Sequence, residues 1–237
     1  MLQNKTKLIN PKYLKYLRWL DFQYLTILLG LKRLKALLNF TPQKILDVGA
    51  GPWNYRSSFN VESKQYITYD PYDAQADVHD LKELGGQKFD VILLIEVLEH
   101  VPQPAALLTQ LHPFLKEHGA IIISTPWAAR LHYCPQDYGR LSLDRLALIA
   151  AASGLSITDA FYRGHTIQTL ANKIIYFLGQ GLMRFNGFWP CYVLLTILAG
   201  PFFLIILLGS YLSLLLPPAS FNQDDPLGLM AVLKQKP

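Results

Sequence analysis

A chain of 237 residues that is 51% hydrophobic, with a formal charge of +5 and two cysteines, holds one ordinary domain and leaves a remainder to explain. The positive charge is concentrated at one end: residues 1–40 carry eight Lys or Arg against Asp21 alone, net +7, while residues 41–237 are net −2. Cys134 and Cys191 show no metal or redox spacing, so two reduced thiols of a cytosolic protein are expected; charges interrupt every apolar run before residue 22, which argues against a signal peptide.

The first segment, residues 1–40, projects as a helix at about 100° per residue. Leu17, Leu20, Tyr24, Leu28, Leu31 and Leu38 gather on one side and Lys12, Lys15, Arg18 and Arg33 on the other, with Lys35 inside the apolar face. Such a basic amphipathic helix suits an anionic inner-leaflet surface. Its basic residues alternate with leucine rather than with exposed polar residues, so no nucleic-acid partner is expected.

From residue 41 to 163 short apolar strands alternate with helical stretches. Strands are expected at Lys44–Val48, Tyr66–Tyr69, Phe89–Ile95, Ala120–Ser124 and Leu155–Phe161, and helices at Pro104–Lys116 and Ser142–Ala152, with Gly119 and Gly154 as stops. This α/β alternation implies right-handed crossovers and a parallel sheet, with ligands bound beyond the carboxyl ends of the strands. The first such end reads ILDVGAGPWNY. Asp47 closes the strand, and Gly49 and Gly51 let the backbone turn tightly and approach a ligand. The next strand ends in YITYD, placing Asp70 as an acceptor for two ribose hydroxyls, and ADVHD then offers Asp80 near a base edge. Gly49, Gly51 and Tyr55 do not complete the G-x-G-x-x-G loop of dinucleotide binders.

These motifs, with FDVILLIEVLEHVPQPAALLTQLHPFLKEHGAIIISTP, resemble the class I S-adenosylmethionine-dependent methyltransferases, specifically the subgroup with a type 11 methyltransferase domain. The resemblance covers roughly residues 40–163. It implies a Rossmann-like, seven-stranded, mostly parallel sheet with an antiparallel strand 7, and S-adenosylmethionine as cofactor. Gly49 and Gly51 would lie against the methionine part, Asp70 would hold the ribose and Asp80 would meet the adenine, with Asp47 and Glu96 completing the cofactor-binding set. Trp53 stands where a third glycine is common, and GPWNYRSSF resembles a branch frequent among methyltransferases of bacterial surface glycans and lipids. LHYCPQDYGRLSLDRL resembles a segment of the same branch, with Gln136 and Gly139 departing from its pattern.

Methyl transfer from a sulfonium needs mainly alignment and desolvation, and an alcohol acceptor gains from a base. His100 follows the strand Phe89–Ile95, His132 and Asp137 follow Ala120–Ser124, and these three are the candidate catalytic bases. The E-x-x-E-H spacing of Glu96, Glu99 and His100 is similar to that of small-RNA 2′-O-methyltransferases and some quinone O-methyltransferases, where such residues hold a divalent cation. Many relatives carry the same letters without metal, and no metal requirement is expected.

The resemblance also places the last strand at residues 226–234, so residues 164–225 form an insertion between strands 6 and 7. No charge occurs from Phe185 to Gln223. The two ends of the insertion must return to one side, and a full crossing needs about 20 residues each way. Gly200–Pro201 divides the apolar core into pieces too short for that, so a helical hairpin broken there and lying in one leaflet is expected, with Trp189, Tyr192 and Tyr211 near the headgroups. The chain is therefore expected to be an O-methyltransferase at the cytoplasmic face of a membrane, acting on a lipid, a lipid-linked glycan or a quinone-like acceptor. The alternative is a non-catalytic membrane scaffold that retains the fold; the sequence is silent on oligomeric state.

Overall fold

The computed structural model describes residues 21–51, 55–132, 136–184, 189–215 and 224–236. The chain divides into two compact units: Ile27–Arg163 with Gly228–Pro237, and Met1–Thr26 with Gly164–Leu227. The division on the N-terminal side falls between Thr26 and Ile27, inside a helix.

The first unit holds most of helix α1 (Phe22–Leu37), strands β1 (Ile45–Val48), β2 (Tyr66–Tyr69) and β3 (Phe89–Ile95), helix α2 (Pro104–Leu111), strand β4 (Leu115–Pro126), helix α3 (Leu143–Ala152), strand β5 (Leu155–Arg163) and, after the second unit, β6 (Gly228–Gln235). The sheet order is β2-β1-β3-β4-β6-β5. The first four strands pair in parallel and β6 runs antiparallel to both β4 and β5. The central strands are apolar runs because both faces are covered. Leu46, Ile92, Leu94, Ile121 and Ile123 pack with Leu108 and Leu111 of α2 and Leu146 and Ile149 of α3. Their neighbours one residue away, Ile45, Val91, Leu93 and Ile122, share a cluster with Ile27, Leu31, Leu34 and Leu38. Such alternation is the period of two along a strand.

Three expectations are corrected here. The described part of the N-terminal helix turns Ile27, Leu31 and Leu34, at i, i+4 and i+7, into the core with Leu38 just beyond it. Burying each is worth roughly 1.5–3 kcal/mol, so this face belongs to the sheet and not to a lipid surface. Lys35, read as a blemish in the apolar face, donates from Nζ to the Ser58 carbonyl at 3.0 Å, and Arg33 stacks on the Phe161 ring at 4.2 Å. Leu17, Leu20, Lys12, Lys15 and Arg18 lie outside the described residues. Second, the described sheet has six strands rather than seven. Next to β2 there is a single parallel bridge, Tyr69 to Val78, because the Asp77 carboxylate takes the Thr68 amide at 2.9 Å and its hydroxyl at 2.8 Å in place of a ladder. Third, Gly119 is not a helix stop. Helix α2 ends at Leu111 before a 3₁₀ turn, His112–Phe114, that contains Pro113, and Gly119 lies inside β4 at a bulge where the register jumps from Phe89–Leu115 to Val91–Ala120. Gly154, with φ of +74°, does end α3, as a left-handed glycine should.

The second unit inserts helices α4 (Thr166–Arg184) and α5 (Trp189–Ser213) between β5 and β6. Gln168 donates to Ser213 Oγ at 3.0 Å and Ser210 to the Ile167 carbonyl at 3.5 Å, which joins the start of α4 to the end of α5 and makes the pair antiparallel. Its small core comprises Phe22, Ala171, Leu207 and Leu227. The Tyr211 ring lies 5.4 Å from that of Phe22, so Tyr211 packs in this unit. The expected break at Gly200–Pro201 is absent: α5 runs through Pro201, losing one backbone bond. Ile197, Leu198, Phe202 and Ile205 of α5 are each 65% to 70% exposed, and Phe177 of α4 is 71% exposed. Counting only the described residues, no helix is long and apolar enough to cross a membrane.

Candidate active site

The loop after β1 opens the site. Asp47 is buried, and the Tyr66 hydroxyl donates to its Oδ2 while accepting from the Tyr55 amide at 2.9 Å. Burial raises the Asp47 carboxyl to about 7, against the lowering effect of the Tyr66 bond. Gly49 has φ of +68° and donates from its amide to the Tyr69 carbonyl at 2.7 Å; a Cβ there would meet Val97 at 2.8 Å. At the next glycine, Gly51, a Cβ would meet no atom within 4 Å among the described residues beyond its chain neighbours. Gly51 lines a cavity of about 290 Å³ together with Ala50, Tyr66, Thr68, Asp73 and Asp77. Trp53 lies outside the described residues.

The second strand supplies Asp70. Its Oδ1 accepts from the amides of Tyr72 and Asp73 at 2.8 and 3.2 Å, closing an Asx turn, and Oδ2 has no intramolecular hydrogen bond among the described residues. One carboxylate oxygen therefore builds the turn and the other is presented outward. Asp80 is differently engaged. It caps the 3₁₀ turn Leu81–Leu84, accepting from Lys82 at 2.9 Å, while Glu83 accepts from the Asp80 amide at 2.8 Å. Its contacts are those of a cap. The sequence reading missed Asp77 and Thr68 as cavity residues and Tyr66 as the partner of Asp47; the only local signal was the first aspartate of ADVHD.

Beyond β3 stands Glu96, a non-glycine residue with φ of +56°. Its Oε1 accepts from Ser124 Oγ and from Arg163 Nη2, each at 2.6 Å. Arg163 Nε also donates to Ser124 Oγ at 3.1 Å.

The turn after Glu96 carries Glu99 and His100. The Glu99 side chain is fully buried, and neither of its oxygens has a hydrogen-bond partner among the described residues; burial first, then the charge of Glu96, pushes its carboxyl well above the usual range. His100 Nδ1 meets the Gln136 carbonyl, and its Nε2 lies 3.1 Å from Nε2 of His132, whose Nδ1 is 3.1 Å from the Arg130 carbonyl. The histidine rings stand edge to face at 4.8 Å. Asp137 is bound through both oxygens to Arg140, at 2.6 and 3.0 Å, and takes the His132 amide at 3.1 Å. The Arg140 bonds hold its carboxyl below the ordinary range, so its contacts make it an anchor for the loop rather than a base. The ligand-type atoms that converge, within 4.8 Å of one another, are those of Glu99, His100 and His132; Glu96 faces Ser124 and Arg163 instead of completing the trio read from the E-x-x-E-H spacing.

A family model described as a methyltransferase domain matches residues 19–173. The chain is 31% identical over 80 residues to a ubiquinone biosynthesis O-methyltransferase of Pseudomonas syringae pv. tomato, and 32% identical over 80 residues to one of Pseudomonas aeruginosa. Each match covers 34% of this chain and 33% of the relative, so the chain spans about a third of the length of the curated relatives it matches. Among solved structures, the O-methyltransferase of a trans-AT polyketide synthase multienzyme of Brevibacillus brevis, in complex with S-adenosyl-L-homocysteine, superposes with a TM-score of 0.52 at 15% identity, covering 96% of this chain and 78% of that one. A methyltransferase of Galdieria sulphuraria gives 0.51 at 14% identity, over 89% and 85%. Both likenesses are of fold.

Proposed function

The chain belongs to the class I S-adenosylmethionine-dependent methyltransferases by its methyltransferase domain, and on that premise we propose that it methylates an oxygen of an amphiphilic acceptor, a lipid, lipid-linked glycan or quinone-like molecule, at the cytoplasmic face of a membrane. The single observation that carries the cofactor reading is the pairing of a turn with two left-handed glycines, Gly49 and the cavity-lining Gly51, with an aspartate one of whose oxygens has no hydrogen bond among the described residues. In this reading the Gly49–Gly51 turn admits the methionine part and Asp70 Oδ2 accepts from the ribose hydroxyls. Bound S-adenosylmethionine would supply an electrophilic methyl on sulfur. In the same reading the protein's own residues hold that donor, exclude water and handle the proton of the acceptor hydroxyl, a role given to the His100–His132 pair, whose Nε2 atoms lie 3.1 Å apart and make no bond to the backbone among the described residues. Titration of the full-length chain with S-adenosylhomocysteine is expected to show one site of micromolar affinity. No binding by folded protein would favour the non-catalytic scaffold.

The membrane part of the proposal draws support from the exposed apolar side chains of α4 and α5, since contiguous apolar surface marks an interaction face, and from the curated relatives, which are named for ubiquinone biosynthesis. Co-sedimentation with vesicles of anionic phospholipid is expected for the wild-type chain. Replacing Ile197, Phe202 and Ile205 together with serine should lower the bound fraction at least tenfold while S-adenosylhomocysteine binding stays unchanged. Equal sedimentation of the two proteins would remove the helical pair from the proposal.

A further inference from the structure

Arg163 reaches from the end of one strand to the end of another three positions away in the sheet. Along the carboxyl edge the order is β3, β4, β6, β5, and Arg163, the last residue of β5, bonds Ser124 in β4 and Glu96 beyond β3. It is 2% exposed. The strand between, β6, begins at Gly228, which pairs with Arg163 in register. A Cβ on Gly228 would come within 2.6 Å of the guanidinium carbon and 2.5 Å of the Thr125 carbonyl, so only glycine leaves a floor low enough for the side chain to cross.

What the arginine reaches is a residue that does not sit comfortably by itself. Glutamate with φ near +56° is in the left-handed region, where a Cβ crowds the backbone and which persists only when neighbours over-determine it. Here the Glu96 amide donates to the Ser124 carbonyl at 2.9 Å, and Oε1 takes both Ser124 Oγ and Arg163. Those bonds use one carboxylate oxygen. Oε2 has no hydrogen bond among the described residues, and the Glu96 side chain is 23% exposed, against 1% for that of Arg163.

We propose that Arg163 is a positioning residue for methyl transfer: lying over Gly228, it holds Glu96 in its left-handed conformation and aims the carboxylate's free oxygen at a donor group of the bound cofactor. This rests on the reading of the site as one for S-adenosylmethionine. The charge-assisted bond to Oε1 fixes the carboxylate in rotation, so Glu96 serves here as an acceptor of hydrogen bonds. A lysine at 163 would keep the charge but lose the planar fork that bonds Ser124 and Glu96 together.

Calorimetric titration with S-adenosylhomocysteine of the wild type, Arg163→Lys, Arg163→Met, Glu96→Gly and the Arg163→Met/Glu96→Gly double variant tests this, with circular dichroism showing each to be folded at the temperature used. Expected are a dissociation constant raised about tenfold or more in Arg163→Met, an intermediate value in Arg163→Lys, and no further loss when Arg163→Met is added to Glu96→Gly. A merely structural arginine would show losses that multiply in the double variant, or an unchanged constant in Arg163→Met, and either result overturns the proposal. Should Arg163→Met fail to fold, Arg163→Lys replaces it in the cycle under the same criteria. Absence of binding by the wild type would reject the cofactor reading itself and this inference with it, whereas wild-type binding with multiplicative losses would reject the inference alone.

Discussion

Replacing Asp70 with alanine is expected to weaken S-adenosylhomocysteine binding by about a hundredfold. Its Oδ1 is committed to the amides of Tyr72 and Asp73, and its Oδ2 has no hydrogen bond among the described residues. A hydrogen bond to a charged group contributes about 1.5–3 kcal/mol, so losing the carboxylate's grip on a pair of hydroxyls removes about 3 kcal/mol, and each 1.4 kcal/mol is tenfold in affinity. Asparagine keeps a carbonyl oxygen for the turn and loses only the charge, and its loss should be nearer tenfold. Calorimetry of both variants separates the two contributions. An alanine variant within threefold of wild type would sink the role given to Asp70.

Stability is expected to fall as pH rises from about 4 to about 7, and the Asp47→Asn variant to lack that part of the fall. Burial raises the Asp47 carboxyl from its ordinary value of 3.8 to about 7, outweighing the Tyr66 hydrogen bond. Below 3.8 the folded and unfolded chains both hold the proton, and no difference arises. Between 3.8 and about 7 the unfolded chain has released a proton that the folded chain retains, so each unit of pH costs the folded state about 1.4 kcal/mol. Above about 7 both are ionised and the loss levels off at about 4 kcal/mol at most. Other groups titrate alike in the two proteins, which is why the difference between them isolates Asp47. Urea midpoints of wild type and variant from pH 4 to 8 supply the measurement, and parallel curves would defeat the argument.

The strands β1 to β3 were legible in the sequence because each is a short apolar run closed by Asp47, by Asp70 or by Glu96, and the helix start at Ser142 and the stop at Gly154 followed local rules. What escaped was fixed by distance along the chain. Arg163 and Glu96 are 67 residues apart, and nothing in either neighbourhood announces the other. The floor that Gly228 provides is invisible without the side chain that crosses it. The face of α1 was misjudged because its projection gave Leu17 and Leu20 the same weight as Leu31, whereas the sheet selects Ile27, Leu31 and Leu34. Proline at 201 signalled a break, yet one lost backbone bond did not outweigh the continuity of the apolar helix around it. His132 could be tied to His100 only through a loop whose course the residues between them do not dictate.

The register pair Arg163–Gly228 has a further consequence for how this chain could have been assembled. Facing residues of an antiparallel ladder lie only about 5 Å apart, so the two ends of the 164–227 segment leave and re-enter the sheet almost at one point. A two-residue Asn-Gly turn spans that gap without altering a single strand pairing. The helical pair is thus a cassette, set into a hairpin that could close without it. One fold can then be fitted with different attachments at this position, while the residues around Gly49 and Asp70 keep their places.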